Sequence, residues 1–377
     1  TIDATFLDNS IAGNTDGADK GTTGTYNLNA SGNWWGSNVP ATVAATVGSG
    51  IDYTPWLDTG TDTSGDPGFQ GDFATLWVDD DSPQTGATGR IQEGINLVTA
   101  STVNVVAGTY VEDPVIDKSV TLLGPNAAIN PNTGVRVAEA VIHPAISAPD
   151  PSICEVMVYI EVSGVTIKGF TFDGDNPALT SGIIIDGADV DACEIMAGYE
   201  GMGNTVVENN ILKHSTYSGV DFYNYVNDAA TAGNYIRYNR FEDIGETTYN
   251  WGIGVLVYNN FYADITDNVM TGVRTGVQTG NFYRANPGAT GSISNNQIGV
   301  WRLGIFHNLA YSNASTFTIS GNTITAETYP GANKWNGLLL SSIGAAVDAT
   351  ITNNNIVIPG AVSFSPPGYT AGYNVWN

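Results

Sequence analysis

One short pattern, returning six times between Thr205 and Pro359, constrains the fold of this chain more than any other feature. An apolar residue is followed three positions later by Asn and five positions later by another apolar residue. The copies are Val207/Asn210/Leu212, Ile236/Asn239/Phe241, Ile265/Asn268/Met270, Ile293/Asn296/Ile298, Ile319/Asn322/Ile324 and Ile351/Asn354/Ile356, at steps of 29, 29, 28, 26 and 32 residues. Repeats of this length stack into a solenoid, because each can bury its apolar face only against its neighbours. The unit is a β coil: its apolar residues are β-branched or aromatic and spaced by two, with no apolar stripe of helical length.

A second line of residues supplies another strand per coil. It runs Gly219-Val220-Asp221-Phe222, Gly254-Val255-Leu256-Val257, Gly276-Val277-Gln278-Thr279, Gly304-Ile305-Phe306-His307 and Gly337-Leu338-Leu339-Leu340. Strand alternation turns the first and third residues after Gly inward and the second outward. The Asn of the first pattern is expected at an inward corner, where Asn tolerates a left-handed backbone and stacked amides hydrogen-bond from coil to coil. These residues resemble the right-handed parallel β-helix of the pectin-lyase-like superfamily, with its internal Asn ladder. The resemblance implies an all-β solenoid. It implies no single activity, since that superfamily includes lyases, hydrolases, epimerases, adhesins and structural proteins.

Charge narrows the partners. With 37 acidic against 12 basic residues, a net charge of −25 and a pI near 4.1, the chain is a poor ligand for nucleic acid or an anionic membrane surface. A polyanionic glycan is repelled as well, unless cations bridge it. Only 13% of residues are charged and 45 are Gly, so solubility rests on Asn, Thr, Ser and Asp, a mixture associated with extracellular bacterial surface proteins. No apolar run approaches the length of a membrane span, and the opening residues do not read as a signal peptide. The chain opens without Met, on Thr1-Ile2-Asp3, which reads as a mature or excised piece of something longer. In an oxidising compartment Cys154 and Cys193 would pair and tie down the excursion between two coils; two free thiols are the alternative. Neither is next to a His in sequence, which leaves a reactive thiol without support.

Taken in order, Phe6/Asn9/Ile11 and Ala30/Asn33/Trp35 already repeat the ladder spacing. With Asn33-Trp34-Trp35-Gly36 and Asp52-Tyr53-Thr54-Pro55-Trp56-Leu57, residues 1–57 resemble the closing segment of a bacterial surface β-helix, standing here at the beginning. Residues 58–89 lose apolar periodicity and read as a Gly/Pro/Asp-rich linker or cover containing Asp79-Asp80-Asp81. From Arg90 a β-helix starts afresh, with Ile91, Ile95 and Val98 on one face of a short capping helix near residues 90–99. Thr102 to Tyr110 and Val115 to Gly124 then follow, and this run resembles the N-terminal cap and first coil of pectin-lyase-like proteins. Phe170 takes the ladder position of its coil. Irregular steps place outgrowths at about 125–160 and 173–204, in a body of residues 90–377.

Four constellations invite a chemical reading. Asp186, Asp189, Asp191 and Glu194 lie on one short loop and suit Ca²⁺, with an exposed acidic loop as the alternative; Asp79 and Asp81 in the linker suit it too, though a charge run of that kind is usually solvated. His214 and Asp243 each lie four residues beyond a ladder Asn, so adjacent coils can stack them about 5 Å apart beside Arg240. Such a set can do acid–base work on a uronate, but a stacked surface pair is the more ordinary outcome. His307 falls at an inward strand position and reads as a core imidazole. Tyr262, Tyr283 and Tyr311 are expected to stack at one corner, either stiffening the solenoid or binding sugar.

The function expected is that of a secreted, non-enzymatic structural or adhesive β-helix, with Ca²⁺ at its loops and its own copies or adjoining modules as partners. Phe6, Asn9, Ile11, Asn33, Trp34 and Trp35 would complete the open last coil around Ile351, Asn354 and Ile356 of a neighbour, giving a head-to-tail fibre. The alternative is a carbohydrate-active enzyme or glycan-binding β-helix. The strand positions that a lyase of this fold would fill with carboxylates and basic residues hold Asp221, Leu256, Gln278, Phe306 and Leu339, which counts against that chemistry.

Overall fold

The structure, a computed structural model, describes the chain except residues 1, 22, 100, 200–201, 224–230, 247, 259–260, 281–290, 310–313, 329–333, 343–345, 359–368 and 377. It is all-β, a parallel β-helix in which each turn lays one strand on each of three faces. Consecutive parallel crossovers make such a coil right-handed. The first face is an 11-stranded sheet running from Trp56–Leu57 through Thr75–Val78 and Thr102–Val105 to Ala346–Thr352. The second and third faces merge into a 15-stranded sheet, because strands such as Ile211–Tyr223, Val269–Gly280 and Gln297–Leu309 bend at a corner and serve both.

Register explains the repeat. On the first face Ile167, Val207, Ile236, Ile265, Ile293, Ile319 and Ile351 stand directly above one another. On the second, the column is Phe172, Leu212, Phe241, Met270, Ile298, Ile324 and Ile356. Met196, Val220, Val255, Val277, Ile305 and Leu338 form the third. All three feed one core, and each buried side chain stabilises it by about 1.5–3 kcal/mol. A one-residue slip would turn a whole column outward, so the pattern fixes the pairing.

The Asn ladder runs between the first two columns. Asn239 donates from Nδ2 to Val207 O (2.9 Å) and to Asn268 Oδ1 (3.1 Å), while its own Oδ1 accepts the backbone N–H (3.0 Å) and Nδ2 (3.3 Å) of Asn210. Asn268, Asn296 and Asn322 repeat the scheme up to Asn354. Phe170 occupies the ladder position before them and donates its backbone N–H to Asn210 Oδ1 (3.0 Å). The left-handed residue is not the ladder Asn but the one before it: Asn209, Tyr238, Asp267, Asn295, Gly321 and Asn353 have φ between 56° and 68°. That turn aims the following amide into the core.

At the bend between the second and third faces, glycine is required for closeness. A Cβ on Gly219, Gly254, Gly276 or Gly304 would come within 2.2–2.8 Å of the carbonyl of the glycine one coil on. The capping helix, Arg90–Leu97, buries Ile91 and Ile95 over the first coil, and the Glu112 carboxylate accepts the N–H groups of Ile91 (2.9 Å) and Gln92 (3.0 Å) at its N-terminus.

The N-terminal region corrects two expectations. Ile2–Thr5, Tyr26–Asn29 and Ile51–Asp52 form a three-stranded parallel sheet, with Asn9 Nδ2 donating to Asn33 Oδ1 (3.0 Å) in a one-step ladder. This unit sits on the start of its own chain's β-helix. Trp56 stacks on Trp77 at 6.5 Å, Asp52 accepts Thr85 N–H (2.7 Å) and hydroxyl (2.6 Å), and Trp77 Nε1 donates to Asp58 Oδ1 (2.6 Å). The stretch read as a linker therefore supplies Thr75–Val78, a strand of the first face, and the coils read as donated to a neighbour are docked in cis. The outgrowths are also narrower than expected, because Ala140–His143, Val156–Ile160 and Ala192–Tyr199 are coil strands.

Candidate functional site

Positive-φ corners position a concave site. After the second face, His214, Asp243 and Gly272 turn the chain with φ of 60°, 53° and 69°. They stack there because the strands just before them pair Lys213 with Glu242 and Glu242 with Thr271. Gly272 leaves room that a side chain would fill, since a Cβ there would lie 2.2 Å from Asp243 Oδ1. Beside this corner the hairpin of Ile184–Ile185 and Ala188–Asp189 closes one wall. The result is a half-open cavity of about 470 Å³ lined by Ile184, Ile185, Asp186, Asp243, Thr271, Gly272, Glu327 and Thr328. Burial, then the neighbouring Asp186 charge, raises the pKa of Asp243. Burial also raises Glu327, aided by Asp243 and opposed by the Gly272 N–H that Glu327 accepts at 2.8 Å. Carboxyls whose pKa is raised in a cleft are suited to taking up and passing on a proton.

The set of His214, Asp243 and Arg240 does not form one site. His214 Nδ1 meets Asp173 Oδ1 at 2.6 Å, and Lys213 Nζ meets Asp173 Oδ2 at 2.8 Å. Burial would raise Asp173, but the bonds from His214 and Lys213 outweigh it and hold that carboxyl at about 2. Arg240 instead braces the outgrowth, donating to Asn132 Oδ1 (3.3 Å) and to Pro131 O.

The loop carboxylates separate as well. Asp186 faces the cavity, Asp189 accepts Ser181 Oγ (2.7 Å) and Gly182 N–H (2.9 Å), and buried Asp191 accepts Asn176 N–H (3.1 Å). Glu194 is buried on the third face, where Tyr199 Oη donates to it at 3.0 Å. A loop that crosses from surface to core sends successive carboxylates different ways, so these four make no shared cation site. Asp79, Asp80 and Asp81 do offer oxygens within 4.8 Å of one another. Two of them already accept backbone N–H groups: Asp79 from Asp81 (2.6 Å) and Asp80 from Thr109 (2.6 Å).

Cys154 and Cys193 are bonded, with Cα atoms 5.4 Å apart, and link neighbouring coils of the third face. His307 is buried in the core, with Nδ1 2.7 Å from Thr279 Oγ1, and burial lowers its pKa to about 4. Tyr283 and Tyr311 of the expected aromatic column lie outside the described residues. The described column is Tyr199, Tyr223 and Tyr258, with ring centroids 4.1 and 4.9 Å apart. Next to it lies Asp221, fully buried with Oδ1 unpaired; burial and the nearby Glu194 raise its pKa well above normal. Burial raises Glu194 to about 7. The sequence pattern missed Glu327, Asp173 and the Glu194–Asp221 pair, all of which are brought together across coils.

The fold and its cavity define a three-faced parallel β-helix with an acidic lateral pocket. No family model matches the chain, and no curated protein matches it. Among solved structures it is similar to the pectin methylesterase of Aspergillus niger, with a TM-score of 0.40 and 11% identity over 80% of this chain and 89% of that one.

Proposed function

We propose that this protein is a secreted, non-enzymatic structural or adhesive rod at a cell surface, joined head to tail to further copies of itself. The observation that carries the reading is the apolar surface at both ends of the coil stack. At the first strand Ile2, Phe6 and Leu7 are 57%, 38% and 46% exposed; at the last described coil Val357 and Ile358 are 36% and 44% exposed. Among the described residues, Ile2–Thr5 and Asn355–Val357 each pair along one edge, and an open parallel edge is a template for another strand. A joint between unlike ends is heterologous and propagates. In this reading the N-terminal coils stay on their own body and stack on the neighbour's last coil. The disulfide suits an oxidising compartment, and no helix among the described residues is long and apolar enough to cross a membrane.

The test is sedimentation velocity and electron microscopy of the full chain against a Phe6→Asp/Leu7→Asp variant. Rods that lengthen with concentration in the parent and stay single in the variant are expected; a parent that stays single at every concentration overturns the reading.

A second reading, a carbohydrate-active enzyme, is favoured by the cavity of Asp186, Asp243 and Glu327. Its check is a screen of pectate and alginate for new reducing ends or unsaturated products, lost on Asp243→Asn or Glu327→Gln.

A further inference from the structure

The Cys154–Cys193 bond joins two sulfurs in unlike settings. Cys154 is half-buried, on a loop where Ser152, Ile153 and Glu155 are exposed. Cys193, the second residue of strand Ala192–Tyr199, is fully buried. An outside thiolate therefore reaches the bond at Cys154, and the electron pair of the broken bond leaves on Cys193. A thiolate released away from water is a poor leaving group, because burial disfavours its charge. A carboxyl stands beside it: one oxygen of Glu194 and both sulfurs lie within 4.8 Å of one another.

That carboxyl is fixed in place. Tyr199 Oη donates to it at 3.0 Å, and the Tyr199 ring is held between Tyr159 (5.1 Å) and Tyr223 (4.1 Å). Burial raises the Glu194 pKa to about 7, against the opposing effect of the Tyr199 bond. From the strand of the next coil comes Asp221, 2% exposed and with Oδ1 unpartnered, held well above the usual carboxylate range by burial and by Glu194. From the coil before comes Glu155, which is exposed. No Lys, Arg or His among the described residues forms an ion pair with Glu194. Glu194 thus keeps a proton on the acid side of neutrality, where an ordinary Glu has lost it.

We propose that the Cys154–Cys193 bond is a thiol–disulfide exchange site, with Cys154 the sulfur attacked, Cys193 the sulfur displaced and Glu194 the acid that protonates it. The co-reactant is a small thiol, which suits a sulfur only half exposed. Its thiolate bonds to Cys154 as the Cys154–Cys193 bond breaks, the electron pair passes to Cys193, and the Glu194 proton follows it. The thiol is oxidised into a mixed disulfide, Cys193 is reduced to a thiol, and Glu194 is left as carboxylate. In reverse, the carboxylate takes the proton back as Cys193 closes on Cys154 and the small thiol departs, so the cap is reversible. The loop has other anchors that survive the exchange. Ala145 N–H donates to Asp113 Oδ2 (3.1 Å), Asn176 Nδ2 to Pro144 O (2.8 Å) and Ala148 N–H to Asp191 O (2.9 Å). The site lies on the side of the rod and goes beyond the end-to-end reading, so either can fail without the other.

The experiment treats the full chain with 2-mercaptoethanol, quenches by alkylation, and maps adduct and free thiol by peptide mass spectrometry between pH 6 and pH 9. The adduct should be on Cys154 and the free thiol on Cys193. Simple exchange has one rate per thiolate at every pH. With Glu194 as acid, the rate divided by thiolate concentration should be about tenfold or more higher at pH 6 than at pH 9. Glu194→Gln should flatten that profile. Tyr199→Phe, which removes the bond that opposes the rise in Glu194, should move the fall-off to higher pH. A role confined to holding the coils predicts a rate that rises with pH instead, since the buried Glu194 charge loosens the fold above pH 7. An adduct on Cys193, a parent rate per thiolate that is flat or rising, a Glu194→Gln profile like the parent's, or a fall-off unmoved by Tyr199→Phe would each overturn the proposal.

Discussion

Two corners of the same coil treat polar groups in opposite ways. At the ladder corner Asn210, Asn239, Asn268, Asn296 and Asn322 are at most 1% exposed, and their amides bond from coil to coil. At the arginine corner, between the second and third faces, Arg274 and Arg302 stand one coil apart and keep unpaired Nε atoms beside one another. Both lie on the same backbone path, a few residues apart in each turn. The contrast separates what the fold needs from what it tolerates. The ladder offsets its own burial by internal bonding, whereas the arginines keep donors that no described group of the chain accepts.

The largest effect is expected from breaking the first corner. Asn239→Ala removes the acceptor of two Asn210 donors and the donor to Val207 O and Asn268 Oδ1. Stranding buried groups costs about 1–3 kcal/mol each, so a loss of roughly 3–5 kcal/mol is predicted in denaturant unfolding. A loss under about 1 kcal/mol would mean that the ladder is decoration.

The ladder was legible because its cause is local: Asn at fixed spacing between apolar columns needs no knowledge of distant coils. The N-terminal ladder step, Asn9 to Asn33, was legible for the same reason. Where that unit docks was not, since docking rests on Trp56 against Trp77 and on Asp52 reaching Thr85, contacts that no period announces. The cavity was half legible. Asp186 and Asp243 stood out as residues, but they meet each other and Glu327 only after the 174–191 excursion folds back over two further coils. Arg274 and Arg302 carried a readable signal, standing one ladder step of 28 residues apart. In sequence each looks like an isolated surface charge.

The buried carboxyls of the third face sharpen the comparison, as a polar pair that the fold holds against its charge. Glu194 is raised from 4.5 to about 7 by burial. Between those values the folded chain keeps a proton that the unfolded chain gives up, so this group makes stability fall as pH rises, and the loss persists above pH 7. His307, lowered from 6.5 to about 4, acts with the opposite sign, because below pH 6.5 the unfolded chain gains the proton. The parent profile sums these two with the other shifted carboxyls, among them Asp113, Asp173 and Asp221. Glu194→Gln isolates the first: it should be more stable than the parent by on the order of 2 kcal/mol at pH 8 and equal to it at pH 4. An offset that is the same at both pH values would refute the assignment.

A smaller effect is expected at Asp79–Asp81, the one of the two expected calcium loops whose oxygens converge. Millimolar Ca²⁺ should raise the melting temperature slightly by mass action, and Asp81→Asn should abolish the rise. A rise that survives Asp81→Asn would place the ion elsewhere.

The division of labour between the two corners is tested most directly by melting Arg302→Gln beside the parent and Asn239→Ala. Among the described residues Arg302 has no bond to lose and a like charge as its neighbour. The account predicts a melting temperature equal to or slightly above the parent's, while Asn239→Ala melts well below both. An Arg302→Gln that falls as far as Asn239→Ala would show that the arginine corner holds the fold together, and would contradict the account.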